Sequence, residues 1–253
     1  MSNIIVPVSG GKDSLLCLLM ALEQGHNVKA VFNDTKWEHP ITYRYLDYLR
    51  SKLGIEIHTT CGYITSKGEV AEGVEDLVRI VGRFPFGLGR FCTSKLKQEA
   101  LKSYYRTKLH NGYTKYEIWY GMRSAESQQR SNKYSGFDRE ELYEMGELFS
   151  NLWPNFMASC LMAKLPIVDM STEQVFKEIK NRGIEYNPLY DEGTNDRVGC
   201  YPCLLAGKKV QEAIFSTEVG KERLKIIKQL EIDIGQKYEM FDTGQDTCSL
   251  CKM

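Results

Sequence analysis

The 253-residue chain has no excess of charge of either sign: 33 lysines and arginines balance 33 aspartates and glutamates. No global field therefore draws it to nucleic acid or an anionic surface, and any such contact needs a local patch. Long hydrophobic runs are missing too, and no stretch is long enough to span a bilayer. Met1-Ser2-Asn3 leads into an apolar segment without the basic and hydrophobic regions of a secretory leader, so the expectation is a cytoplasmic protein with no membrane partner. Repeats and low-complexity segments are absent, and the length suits one substantial core with a small appendage. Cysteine is not scarce. Eight of them in a reducing compartment speak against a disulfide framework and turn attention to metal or redox chemistry, above all where they pair at two-residue spacing.

The first half alternates short β-branched runs with amphipathic stretches. That pattern predicts βαβ units, and hence an α/β fold with an open, mostly parallel sheet and helices on both faces. Strands are expected at Ile4–Val8, Val28–Phe32, Ile55–His58, Tyr116–Tyr120 and Lys164–Ile167. Helices are expected at Tyr43–Leu53, Thr93–Lys108 and Thr172–Arg182, the last ended by Gly183. Residues 1–206 are assigned to this domain. Residues 207–253 are assigned to a small, mostly helical segment that ends in a polar, cysteine-containing tail.

Ser9-Gly10-Gly11-Lys12-Asp13-Ser14 lies between the first apolar strand and an apolar helix. A buried strand that feeds a glycine turn into a helix gathers backbone N–H groups and a helix N-terminus at one spot, where an anion is stabilised. Lys12 adds a mobile positive charge. The spacing is not that of a Walker A loop, which excludes a kinase or GTPase of that type. Gly10 and Gly11 allow close backbone approach, Lys12 neutralises phosphate oxygens, and Ser9 and Ser14 donate hydrogen bonds. Asp13 suits either a Mg²⁺ ligand or an ordinary acidic residue in the first turn of a helix.

Further runs occur in order along the chain: Asp34-Thr35-Lys36-Trp37-Glu38, Phe91-Cys92-Thr93-Ser94-Lys95-Leu96-Lys97, Gly121-Met122-Arg123-Ser124-Ala125-Glu126, Tyr186-Asn187-Pro188-Leu189-Tyr190-Asp191, and Arg197-Val198-Gly199-Cys200-Tyr201-Pro202-Cys203. Together with the loop they resemble the phosphoadenosine phosphosulfate (PAPS) reductase family within the N-type ATP pyrophosphatases. The resemblance includes its phage and mobile-element members and the related sulfur-transfer protein of DNA phosphorothioation. The resemblance implies an adenine nucleotide alpha hydrolase-like fold, with adenosine received at Asp34 and Thr35 and a nucleotide contact at Gly121. Arg123, whose planar fork matches phosphate or sulfate oxygens, is expected as a second anion clamp. Where the family has glycine after the Asp-Thr pair, this chain has Lys36.

Cys200-x-x-Cys203 and Cys248-x-x-Cys251 are two close pairs. Such pairs suit tetrahedral zinc, while the resemblance implies a [4Fe–4S] cluster on Cys92, Cys200, Cys203 and a tail cysteine, Cys251. Cys17, Cys61 and Cys160 are expected as small core residues. Within the resembled family, an intact loop of this kind implies an enzyme that cleaves ATP to AMP and pyrophosphate and adenylylates a substrate for sulfur transfer, with Lys12, Asp13, Arg123 and Cys248 as the expected catalytic groups. A cysteine desulfurase or a thioredoxin-like protein would supply the sulfur, and a nucleic acid is one possible acceptor. The alternatives are a PAPS or APS reductase that uses a tail cysteine, and a nucleotide-sensing module without turnover.

Overall fold

Ile4, Val6 and Val8 pack on one side of the first strand and Ile5 on the other, and all four are buried. Burial on both faces is what a central strand of a covered parallel sheet requires. The computed structural model describes residues 2–25, 27–86, 89–109, 115–149, 160–193 and 197–235. Its main sheet has six strands: β1 (Asn3–Val8), β2 (Asn27–Asp34), β3 (Ile57–Cys61), β6 (Tyr116–Trp119), β7 (Leu142–Glu144) and β8 (Leu161–Lys164). Their order is β3-β2-β1-β6-β8-β7, parallel except for β7, with β4 (Tyr63–Ile64) and β5 (Val70–Ala71) forming a separate hairpin. The chain runs outward from β1 to β3 and returns to β6 on the other side of β1, so a topological switch point lies between β1 and β6. In such sheets the crevice beyond the carboxyl ends of those strands receives the ligand.

Helices cover both faces. On one side α1 (Lys12–Glu23), α2 (Pro40–Leu53) and α7 (Thr172–Asn181) bury Leu16, Leu46 and Ile179 against β1 and β2. On the other side α4 (Ala100–Leu109), α5 (Gln128–Tyr134) and α6 (Met145–Leu148) bury Tyr105, Tyr134 and Met145 against Ile5, Val31 and Ile118. A third core gathers Trp37 and Tyr201 with α3 (Val74–Val81), α8 (Lys208–Phe215) and α9 (Glu218–Asp233). The helices after residue 206 thus share an apolar core with residues that precede it. No helix among the described residues is long and apolar enough to cross a membrane.

Several expected boundaries move. The third strand starts two residues late, and the helix expected over 93–108 is wound as a π-helical segment, Thr93–Glu99, continued by α4. The strand expected at Lys164–Ile167 is instead Leu161–Lys164. Leu165 and Ile167 are fully buried but irregular, so their apolar character reports core packing. Pro166, which lacks an N–H, cannot donate to the ladder. Cys61 is exposed at the end of edge strand β3, contrary to its expected place in the core, whereas Cys17 is fully buried.

Candidate functional site

The chain turns from Val8 into α1 at the carboxyl end of the central strand. Gly10 has φ +77°, and a Cβ there would stand 2.7 Å from Thr42 Cγ2, so backbone conformation and space both require glycine. The turn is stapled from within. The Ser9 N–H donates to Ser14 Oγ (3.1 Å), the Ser14 hydroxyl donates to the Gly11 carbonyl (3.1 Å), and the Gly11 N–H donates to Ser9 Oγ (3.3 Å). Ser9 and Ser14, expected as donors to a ligand, therefore also hold the loop's shape.

Lys12 is not the mobile charge expected from sequence. It is buried at 4% exposure, its Nζ lies 3.0 Å from Asp13 Oδ2, and it sits over the rings of Phe176 (5.8 Å) and Tyr190 (5.5 Å). The other oxygen of Asp13 is taken by Arg123, whose Nε donates at 2.6 Å. Arg123 also donates from Nη1 to the Met170 carbonyl and from Nη2 to Thr172 Oγ1, and it is 1% exposed. These bonds make it a brace for Asp13 from behind the loop. Each carboxylate oxygen of Asp13 thus takes part in one ion pair, with Lys12 on one side and Arg123 on the other. Gly121, after β6, is a close-approach position: a Cβ there would stand 2.6 Å from the Asp13 carbonyl carbon.

Asp34 and Thr35 end β2 and are buried. Asp34 accepts from the Lys36 N–H (2.8 Å), Lys36 Nζ (2.7 Å) and the Tyr43 hydroxyl (2.7 Å). Burial raises its pKa, but the bonds from Lys36 and Tyr43 outweigh that effect and hold the carboxyl below its ordinary range. Lys36 keeps the left-handed backbone of a glycine, with φ +57°.

Glu38, which the sequence reading left without a role, accepts from the Thr35 N–H (3.2 Å), the Thr35 hydroxyl (2.7 Å) and the Trp37 N–H (3.2 Å). Burial pushes its carboxyl up. The Cys200 segment docks on this turn: the Tyr201 N–H donates to the Trp37 carbonyl (2.7 Å) and Trp37 Nε1 donates to the Pro202 carbonyl (2.9 Å). Cys200 Sγ comes within 3.6 Å of Thr35 Oγ1. The Lys97 ammonium lies close enough to Cys200 and Glu38 that its interactions with them, opposed by burial, raise it above the ordinary lysine range.

Cys92 lies near enough to Cys200 and Lys97 to feel both, although burial is the main force that pushes its thiol up. Cys203 is exposed. Among the described residues no three His, Cys, Asp or Glu side chains come together as a metal-ligating set. Cys248 and Cys251 lie outside the described residues. The described donors alone therefore build neither the expected cluster site nor a zinc site.

Two residues of the Tyr186–Asp191 run reach the loop. Asn187 is fully buried, and its Nδ2 donates to the Gly10 carbonyl at 3.1 Å. The Tyr190 hydroxyl accepts from the Lys12 N–H at 3.0 Å. The 3₁₀ turn Pro188–Tyr190, capped by the Asn187 side chain, carries both residues to the loop. Their signal was the Asn-Pro-Leu-Tyr run, but its target, some 178 residues earlier in the chain, was not legible.

Comparison with known proteins agrees with this layout. A protein of Escherichia phage 186, described as an uncharacterized 37.8 kDa protein, is 30% identical over 249 residues and covers 84% of this chain and 70% of its own length. The nin region protein ORF290 of Escherichia phage lambda is 27% identical over 203 residues, covering 68% of this chain and 67% of its own. The adenosine 5'-phosphosulfate reductase of Pseudomonas aeruginosa is 29% identical over 202 residues, covering 78% and 65%. The crystal structure of PAPS reductase from Candida auris shares the fold at a TM-score of 0.52, with 18% identity over 80% of this chain and 83% of that one. The phosphoadenosine phosphosulfate reductase domain matches residues 3–206, and the chain belongs to that family.

Proposed function

We propose that this chain is an enzyme that binds ATP across the carboxyl ends of β1, β2 and β6 and cleaves it to AMP and pyrophosphate, so as to adenylylate a substrate for sulfur transfer. The observation that supports this is the unbroken Ser9–Ser14 loop. Its left-handed Gly10, its position at the N-terminus of α1 and its location at the switch point of the sheet together form an anion cradle. An oxygen of the acceptor would attack the α-phosphorus, and the bond from that phosphorus to the bridging oxygen would break and release pyrophosphate. A sulfur nucleophile delivered by a partner such as a cysteine desulfurase or a thioredoxin-like protein would then displace AMP.

The loop amides and the Lys12 charge would stabilise the departing pyrophosphate, and Arg123 and Asp13 would hold Lys12 in register. Mg²⁺, when bound, would neutralise phosphate charge. The test is to incubate anaerobically purified protein with α-labelled ATP and candidate acceptors, nucleic acid among them. AMP and pyrophosphate are expected with the parent and neither with Lys12→Ala, while ADP as the product would overturn the proposal.

A second reading, that of a sulfonucleotide reductase, is favoured by the likeness to the Pseudomonas aeruginosa reductase. It needs a tail thiol, Cys248, to attack the sulfur of PAPS or APS. Sulfite release from PAPS that disappears in Cys248→Ser would support it over the first.

A further inference from the structure

The phosphate loop already has an occupant. The Tyr190 hydroxyl accepts the Lys12 N–H at 3.0 Å. It stands 3.2 Å from where a Cβ on Gly11 would lie, which puts it directly over the turn. Its ring is held edge-on by Phe176 (5.3 Å) and Tyr186 (6.1 Å) and carries the Lys12 ammonium on its face at 5.5 Å. Asn187, which accepts from the Leu189 N–H (3.1 Å) and donates to Gly10, fixes the short turn that brings Tyr190 there. The amide at the start of α1, which a phosphate oxygen would use, is thus bonded to a side chain.

We propose that Tyr190 is an internal competitor for the phosphate site, its hydroxyl holding the Lys12 amide until a phosphate oxygen displaces it. This rests on the loop's being the phosphate subsite, as above. A phenol oxygen suits the part because it satisfies the Lys12 amide, where a buried N–H left without an acceptor is costly. An anionic oxygen then takes the same donor in a stronger, charge-assisted bond. Affinity for the phosphates is therefore set by a difference, the new bond minus the old one.

The substitution Tyr190→Phe separates this from an ordinary structural or ligand-binding role, because it keeps the ring and its packing and removes only the oxygen. With inorganic pyrophosphate as probe in calorimetry, the Phe variant should bind roughly twofold to tenfold more tightly than the parent, the worth of one neutral hydrogen bond no longer broken. Its melting temperature without ligand should be lower than the parent's, and the gap should close at saturating pyrophosphate. Equal or weaker binding by a folded Phe variant would overturn the proposal, since a hydroxyl that touches the ligand loses affinity when removed. Absence of pyrophosphate binding in the parent would overturn the phosphate-subsite reading itself, and the two failures are distinct.

Discussion

Arg123 Nε lies 2.6 Å from Asp13 Oδ1, and this pair ties the end of β6 to the first turn of α1. Arg123 is nearly inaccessible, and its three nitrogens serve three separate acceptors: Asp13, the Met170 carbonyl and Thr172 Oγ1. Replacement by Gln strands part of a half-buried carboxylate and two further acceptors. Loss of one partner of a buried pair costs about 3–5 kcal/mol, and because Lys12 still serves Asp13 we expect about 3 kcal/mol in urea unfolding. Arg123→Lys should recover little of it, because an ammonium cannot span acceptors laid out for a planar fork. Full recovery by Lys would show that charge alone matters there.

Gly121 and the loop are in backbone contact, so Gly121→Ala has no soft neighbour to push aside. The added carbon would stand 2.6 Å from the Asp13 carbonyl carbon and 2.8 Å from the Ser14 nitrogen. The loop itself must shift. We expect a stability loss of about 1–3 kcal/mol, typical of overpacking, together with at least a tenfold loss of pyrophosphate affinity. An alanine variant that binds pyrophosphate like the parent would show that the loop tolerates displacement.

What the sequence could show of this site follows from distance along the chain. The loop, β1 and α1 were legible because strand, glycine turn and helix are contiguous and each has a local signal. The brace from Arg123 was not, because its partner Asp13 is 110 residues away and an arginine after a strand reads equally well as an anion clamp. Tyr190 and Lys97 were missed for the same reason: one meets the loop and the other meets Cys200 only after the sheet has assembled. Leu165 and Ile167 were read as a strand because a short apolar run does not distinguish a ladder residue from a core residue in a turn.

Lys36 provides a measure of backbone cost. Its φ of +57° is one that glycine adopts freely, and the position is kept by its two bonds to Asp34 and by the space left at Gly73, where a Cβ would stand 2.7 Å from Lys36 Cβ. Lys36→Gly and Lys36→Ala both lose the ion pair and differ mainly in the freedom of φ. Glycine should be more stable than alanine by about 1 kcal/mol. Alanine equal to or above glycine in denaturant unfolding would mean that the turn relaxes out of the left-handed region.

His39 ties stability to pH. Its Nδ1 accepts the Ile41 N–H at 3.1 Å and so caps α2, and its ring packs edge-on against Tyr201 at 4.5 Å. Burial, helped by the charges of Arg44 and Arg223, holds its pKa below the ordinary value of 6.5. The unfolded chain therefore takes up this proton at a higher pH than the folded protein does. Stability from the neutral ring is complete above about pH 6.5 and is lost as pH falls through the folded value, with a slope of at most about 1.4 kcal/mol per pH unit for one proton. Protonation at Nδ1 would also remove the cap. Asn is a good N-cap that does not titrate, so His39→Asn should flatten the decline in unfolding free energy between pH 7 and pH 5, even though it loses ring packing at neutral pH. The check is urea unfolding at pH 7, 6 and 5 on both proteins, and an unchanged slope in the Asn variant would assign the acid sensitivity to other groups.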